Sequence, residues 1–99
     1  MPSYVVTFKF GRNANFAQRL DDFIGCVAVG DWWAETATTI FVHSDEPIDD
    51  FCRRITAPSI FDAANDIVVV VDLDNREGRA RGPVRDGGLF TVAPWIVRI

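Results

Sequence analysis

The chain opens on a period-two pattern. Tyr4, Val6, Phe8 and Phe10 alternate with Val5, Thr7 and Lys9, which predicts a strand with one apolar face and one mixed face. Gly11 breaks the strand, and Asn13 has the side chain of an N-cap. Phe16, Leu20, Phe23, Ile24 and Val27 then recur at helical spacing, so an amphipathic helix ending near Gly25 is expected. Its outer face carries Arg12, Arg19, Asp21 and Asp22, read as a solvated surface. The helical period is lost between Gly30 and His43, where Trp32, Trp33 and the run Thr38-Thr39-Ile40-Phe41-Val42 predict a β-hairpin with the two indoles on opposite faces. Thr36-Ala37 favours neither positive-φ position of a two-residue turn, so a longer or bulged connection is expected.

A second helix follows. Ser44 and Asp45 are N-cap candidates, Pro47 suits a first turn, and Ile48, Phe51, Cys52 and Ile55 keep helical spacing until Pro58 stops it. Asp45, Glu46, Asp49 and Asp50 favour the dipole at the start of that helix. Asp66 then leads into Ile67-Val68-Val69-Val70-Val71-Asp72-Leu73, a strand apolar on both faces and therefore one that expects cover on both. The order is β-α-β-β-α-β, an α+β arrangement in which right-handed crossovers put two helices on one face of an antiparallel sheet. The other face needs a cover. We expect a homodimer to supply it, with the row Tyr4, Val6, Phe8 and Phe10, or its mixed opposite, meeting the second copy together with Val69 and Val71. The alternative cover is the chain's own residues 75–99.

Those residues differ from the rest in composition. Arg76, Arg79, Arg81 and Arg85 alternate with Gly78, Gly82, Gly87, Gly88 and Pro83, read as a flexible basic loop without a core-forming pattern. Leu89 to Ile99 is apolar enough to dock, as a short fifth strand interrupted at Pro94, on this sheet or on the edge of a partner's. The expected organisation is one domain over residues 1–99, with a core at 4–74 and a basic loop and docking tail at 75–99. A length of 99 residues with 48% hydrophobic and 24% charged content fits a single globular domain. No apolar run approaches the ~20 residues of a membrane span, so no membrane partner and a cytoplasmic location are expected.

Charge adds one asymmetry. The net charge is −4, but residues 1–74 hold five basic and twelve acidic side chains, and residues 75–99 hold five basic and two acidic ones. A local basic segment can still contact phosphate on an acidic body. Arginine pairs bidentately with phosphate and glycine lets backbone conform to it, so Arg76, Arg79, Arg81 and Arg85 are candidate contacts for RNA or DNA. Either tryptophan would stack a base if exposed. Cys26 and Cys52 lie at apolar positions outside any Cys-x-x-Cys pair and are read as buried thiols. His43 is the only histidine; its neighbours Ser44 and Asp45 make no hydrolase triad, whose members converge from separate segments. Asp72 and Asp74 at a strand end are a weak candidate for Mg²⁺ or Mn²⁺.

The stretch Gly30-Asp31-Trp32-Trp33 leading to Thr38-Thr39-Ile40-Phe41-Val42, followed by Asp66 to Leu73, resembles the SinR-like group of small bacterial proteins. That group is similar to the small ferredoxin-like subunit of CRISPR adaptation complexes and to VapD-type toxins. The resemblance spans about residues 4–74. It implies a ferredoxin-like βαββαβ sandwich with a C-terminal extension, dimerising with its C-terminal segment against the partner. In relatives described as metal-dependent nucleases, the proposed magnesium ligand is an aspartate near the end of the first strand. By position it falls on Lys9 here, after Phe8, and an ammonium repels a divalent cation. The expectation is therefore a protein with no catalytic residue and no cofactor, a homodimeric module of the CRISPR-adaptation or toxin–antitoxin type that binds nucleic acid or protein. Lys9 joins Arg76, Arg79, Arg81 and Arg85 as a phosphate contact. Two other readings stay open: a metal-dependent endoribonuclease using Asp72 and Asp74, and a purely structural protein–protein dimer.

Overall fold

The computed structural model describes residues 2–11, 15–28, 30–36 and 38–99. Asn13, the expected N-cap, lies outside them, as does Arg12. The described elements run β1 (Ser3–Lys9), α1 (Phe16–Val27), β2 (Trp32–Trp33), β3 (Thr39–His43), α2 (Ile48–Ile55), β4 (Ile67–Asp72), β5 (Glu77–Arg81), α3 (Gly88–Val92) and β6 (Ile96–Arg98). Six strands form one sheet in the order β2-β3-β1-β4-β5-β6. All neighbours are antiparallel except β5 and β6, which are parallel. The protein is thus an α+β fold with a six-stranded sheet and three helices.

Register decides which side chains share a face. Tyr4 lies opposite Val42 and Asp72, Val6 opposite Ile40 and Val70, and Phe8 opposite Val68. This row meets Phe23 and Val27 of α1 and Ile48, Phe51, Cys52 and Ile55 of α2 in the main core. Rings close it tightly: Tyr4 lies 4.6 Å from Phe51 and Phe8 lies 4.7 Å from Phe23, centroid to centroid. Burying a side chain of this size contributes roughly 1.5–3 kcal/mol, so the row is the chief anchor of both helices. That corrects one sequence expectation. Tyr4, Val6, Phe8 and Phe10 are buried within one copy and are not available to a second.

The helix boundaries follow local chemistry. α1 runs two residues past Gly25, to Val27, because Val27 is buried in the core. In α2 the N-cap position belongs to Pro47, while Ser44 Oγ instead accepts from the Glu46 N–H at 3.1 Å. Arg79 comes from across the sheet and pairs with Asp49 at 2.7 Å. A side chain expected in a mobile loop is therefore tied to the first turn of α2.

That ion pair belongs to the largest departure from the sequence reading. Residues 77–81 are not loop but strand β5, hydrogen-bonded to β4. Gly78 and Ala80 point to the face opposite the helices, paired with Val71 and Val69, whereas Arg79 and Arg81 share the helix face with Val70 and Val68. Small residues on one side and arginines on the other still alternate with period two. The tail then docks on this chain's own sheet. α3 and β6 bring Leu89, Phe90, Ala93, Trp95 and Ile96 against Ala80, Val69 and Val84 in a second, smaller core. Gly78 makes this possible, since a Cβ there would lie 2.7 Å from Ile96 Cγ1 and 3.1 Å from Trp95 Cζ3. Pro94 separates α3 from β6, as its missing N–H requires.

Candidate functional site

The second face of the sheet is covered on one side only. Over β4, β5 and β6 it carries the small core just described. Over β2, β3 and β1 the same face presents Trp33 beside Phe41, Phe41 beside Val5, and Val5 beside Val71, all set by register. The Trp33 and Phe41 rings meet edge to face at 5.7 Å. Trp33 is 44% exposed, Phe41 42% and Leu73 54%, and at the same end of the sheet Trp32, paired with Val42 and so on the helix face, is 53% exposed. These side chains border an open cleft of about 340 Å³, completed by Ser3, Tyr4, Asp31, Val42 and His43. Four large apolar side chains gathered at one sheet end are unlike the scattered apolar residues of an ordinary surface.

The backbone under the patch is fixed. The His43 N–H donates to the Asp31 carbonyl at 2.9 Å, and the Leu73 N–H donates to the Ser3 carbonyl at 2.9 Å. Asp74 Oδ2 accepts from the Ser3 N–H, also at 2.9 Å. Beneath it, the Tyr4 hydroxyl donates to the Glu46 carbonyl at 2.7 Å; burial, with the charge of Asp72 nearby, pushes this phenol up to about 12. The patch is therefore a rigid platform with aromatic rings on it. His43, exposed on that platform, has Ser44 turned away into the Glu46 turn, so no triad forms.

The five cations expected to contact phosphate do not converge. Arg79 is held by Asp49 and donates to its neighbour's carbonyl, Gly78 O, at 2.9 Å. Arg81 lies on the helix face and reaches Thr56 Oγ1 at 3.4 Å. Arg76 sits in the β4–β5 turn with φ 50°. Lys9 and Arg85 line one recess of about 360 Å³ at the far end of β1. Strand formation disperses the basic segment, because it fixes Arg79 and Arg81 on the helix face while Arg76 stays in the turn before β5 and Arg85 lies beyond it.

Asp72 and Asp74 border one depression with Arg76 and Trp95, but each carboxylate holds backbone. Asp72 Oδ1 accepts from the Asp74 N–H at 2.8 Å and the Asn75 N–H at 3.2 Å, and Oδ2 accepts from Asn75 Nδ2 at 3.0 Å. Burial alone would raise the Asp72 pKa; these bonds outweigh it and hold the carboxyl below the ordinary aspartate range. Asp72 thus closes the β4–β5 turn, and Asp74 ties that turn to Ser3 of β1. Among the described residues, no three His, Cys, Asp or Glu side chains gather as a metal site. Cys26 is half-buried and Cys52 buried, both as free thiols, and burial pushes Cys52 up to about 12.

A further polar centre is invisible to sequence spacing. Asp66, fully buried, accepts from Arg19, from the Gly11 N–H at 2.9 Å and from the Asp62 N–H at 2.9 Å. Arg19 also stacks over Phe10, 4.3 Å from its centroid. It is thus no solvated helix charge but a strut between α1 and the start of β4. Burial alone would raise the Asp66 pKa, yet Arg19 and the two N–H groups outweigh it and keep the carboxyl below its usual range. The sequence hint was an isolated Asp before an unbroken apolar strand.

Comparison with protein-family models, curated proteins and solved structures finds no match to this chain.

Proposed function

We propose that this protein is a non-catalytic, self-associating binding module built on a ferredoxin-like unit, β1-α1-β2-β3-α2-β4, to which β5, α3 and β6 are added. The single observation that supports it is the bare half of the second sheet face, with Trp33, Phe41 and Leu73 exposed together. A second copy is the cover we assign to that half. Two identical patches meeting about a two-fold axis form an isologous contact, the commonest kind among soluble oligomers, and aromatic side chains dominate the energy of such contacts. On this reading the dimer surface consists of Trp33, Phe41 and Leu73 with Val71. It excludes Tyr4, Val6, Phe8 and Phe10, which hold the helices, and Val69, which packs under the tail. The tail stays on its own copy.

The SinR-like resemblance fits this reading in fold and in self-association, and the lysine at position 9 fits a relative that does not use metal. The test is light scattering coupled to size exclusion over a wide concentration range. A mass that rises from monomer to dimer with concentration, and that stays monomeric in the double variant Trp33→Ala/Phe41→Ala, is the expected result. A wild-type monomer at all concentrations contradicts the proposal. Cleavage of RNA in Mg²⁺ or Mn²⁺, abolished by Asp72→Asn, would contradict its non-catalytic part.

A further inference from the structure

From the recess shared by Lys9 and Arg85, we infer a binding site for a phosphoryl group at the end of the sheet opposite the aromatic patch. β1 separates the two regions by about 20 Å, at roughly 3.3 Å per residue from Ser3 to Lys9. The inference does not depend on self-association.

Three separate segments build the recess: Lys9 at the end of β1 and Gly11 after it, Asn65 and Ile67 before and within β4, and Pro83 and Arg85 beyond β5. Two glycines that admit no side chain draw these segments together, Gly11 in the lining and Gly82 just before Pro83. A Cβ on Gly11 would lie 2.0 Å from the Asn65 carbonyl oxygen, and Gly82, with φ +101°, would place one 1.8 Å from the Asp66 oxygen. Because the three backbones close on one another this tightly, the recess exists before any ligand arrives, which lowers the ordering cost of binding.

Its charge is one-sided. No carboxylate lines it; of the two that adjoin lining residues in sequence, Asp66 is turned into the protein and committed to Arg19, Gly11 and Asp62, and Asp86 accepts from the Gly88 N–H at 2.9 Å. Neither Lys9 nor Arg85 has an ion-pair partner among the described residues, whereas Arg19, Arg53, Arg54 and Arg79 each have one. Two uncompensated cations in a preformed recess suit a compact dianion. The guanidinium fork and the ammonium point charge divide its oxygens between them, and Ile67 and Pro83 give a wall for whatever the group is attached to.

The experiment is an amide chemical-shift titration of the whole protein at low ionic strength with inorganic phosphate, with a nucleoside 5′-monophosphate, and with the same nucleoside lacking phosphate. Saturable shifts of the Gly11, Ile67 and Arg85 amides with both phosphate ligands, and none with the nucleoside, are expected. Lys9→Gln and Arg85→Gln should each weaken binding about tenfold, the scale of one charge-assisted contact, while Arg53→Gln on the outer face of α2 leaves it unchanged. All three sites are exposed, and unchanged spectra away from the recess show that the variants fold. Absence of saturable shifts, wild-type affinity in the two recess variants, or matching shifts from the bare nucleoside would each overturn the assignment.

Discussion

One face of the sheet is finished in two different ways. Over β4 to β6, glycine and alanine at positions 78 and 80 leave room for the chain's own Trp95 and Ile96. Over β2, β3 and β1, the corresponding positions are Trp33, Phe41 and Val5, and no described segment of the chain lies over them. Small residues under a tail make an intramolecular cover; large aromatic residues without one make a surface that favours an intermolecular cover. The apolar character is the same on both sides. Side-chain volume, and where the tail ends, decide which kind of burial each half can have.

This contrast can be broken in graded steps. The largest effect is expected where the covered half is rooted. Asp66→Ala orphans two backbone N–H groups and leaves Arg19 without its partner, so urea unfolding should show a loss of about 4 kcal/mol. The folded-state pKa of Asp66 lies below its unfolded value. Its contribution is therefore complete above about pH 4 and is lost as pH falls through the folded pKa. The stability gap between wild type and Asp66→Ala should narrow in that acid range and stay constant from pH 5 to 8; a gap that is widest in acid would contradict the assigned pairing.

Next comes the tail's seat. Gly78→Val drives a side chain into Ile96 and Trp95 and should cost about 3 kcal/mol by overpacking, with amide protection in α3 and β6 falling furthest. An unchanged protection pattern would mean that the small core is not what Gly78 serves. On the bare half the expected ranking reverses. Trp33→Ala removes an edge-to-face contact and should cost the monomer only about 1 kcal/mol, yet it should abolish dimer formation at micromolar concentration. The smallest effect belongs to Arg53→Ala: its exposed pair with Asp50 is worth less than about 0.5 kcal/mol, and neither association nor melting temperature should move.

How much of this was legible beforehand follows from the range of the interactions. The α+β character was, since period-two and helical spacing are local signals. Tyr4, Val6, Phe8 and Phe10 declared one face of β1, and the Ile67–Val71 run declared a strand covered on both sides. β5 was hidden because Glu77-Gly78-Arg79-Ala80-Arg81 has no apolar alternation; its period lies in side-chain size, and only the docked tail gives that meaning. The Arg19–Asp66 strut joins residues far apart in sequence, and no spacing rule finds such a pair. The same limit applies to the sites. Two tryptophans in a hairpin were conspicuous, but their exposure depended on where the tail lay. Lys9 and Arg85 belonged to one basic set in the sequence, and only the register of β1 with β4 and β5 separates them from Arg79 and Arg81.

The comparison itself is tested most directly by two tryptophans, Trp33 on the bare half and Trp95 on the covered half. In protein labelled with 5-fluorotryptophan, the account predicts that the fluorine resonance of Trp33 shifts progressively as concentration is raised from micromolar to millimolar, while that of Trp95 stays fixed within the docked tail. A Trp33 resonance independent of concentration, or a Trp95 signal that moves with it, would contradict it.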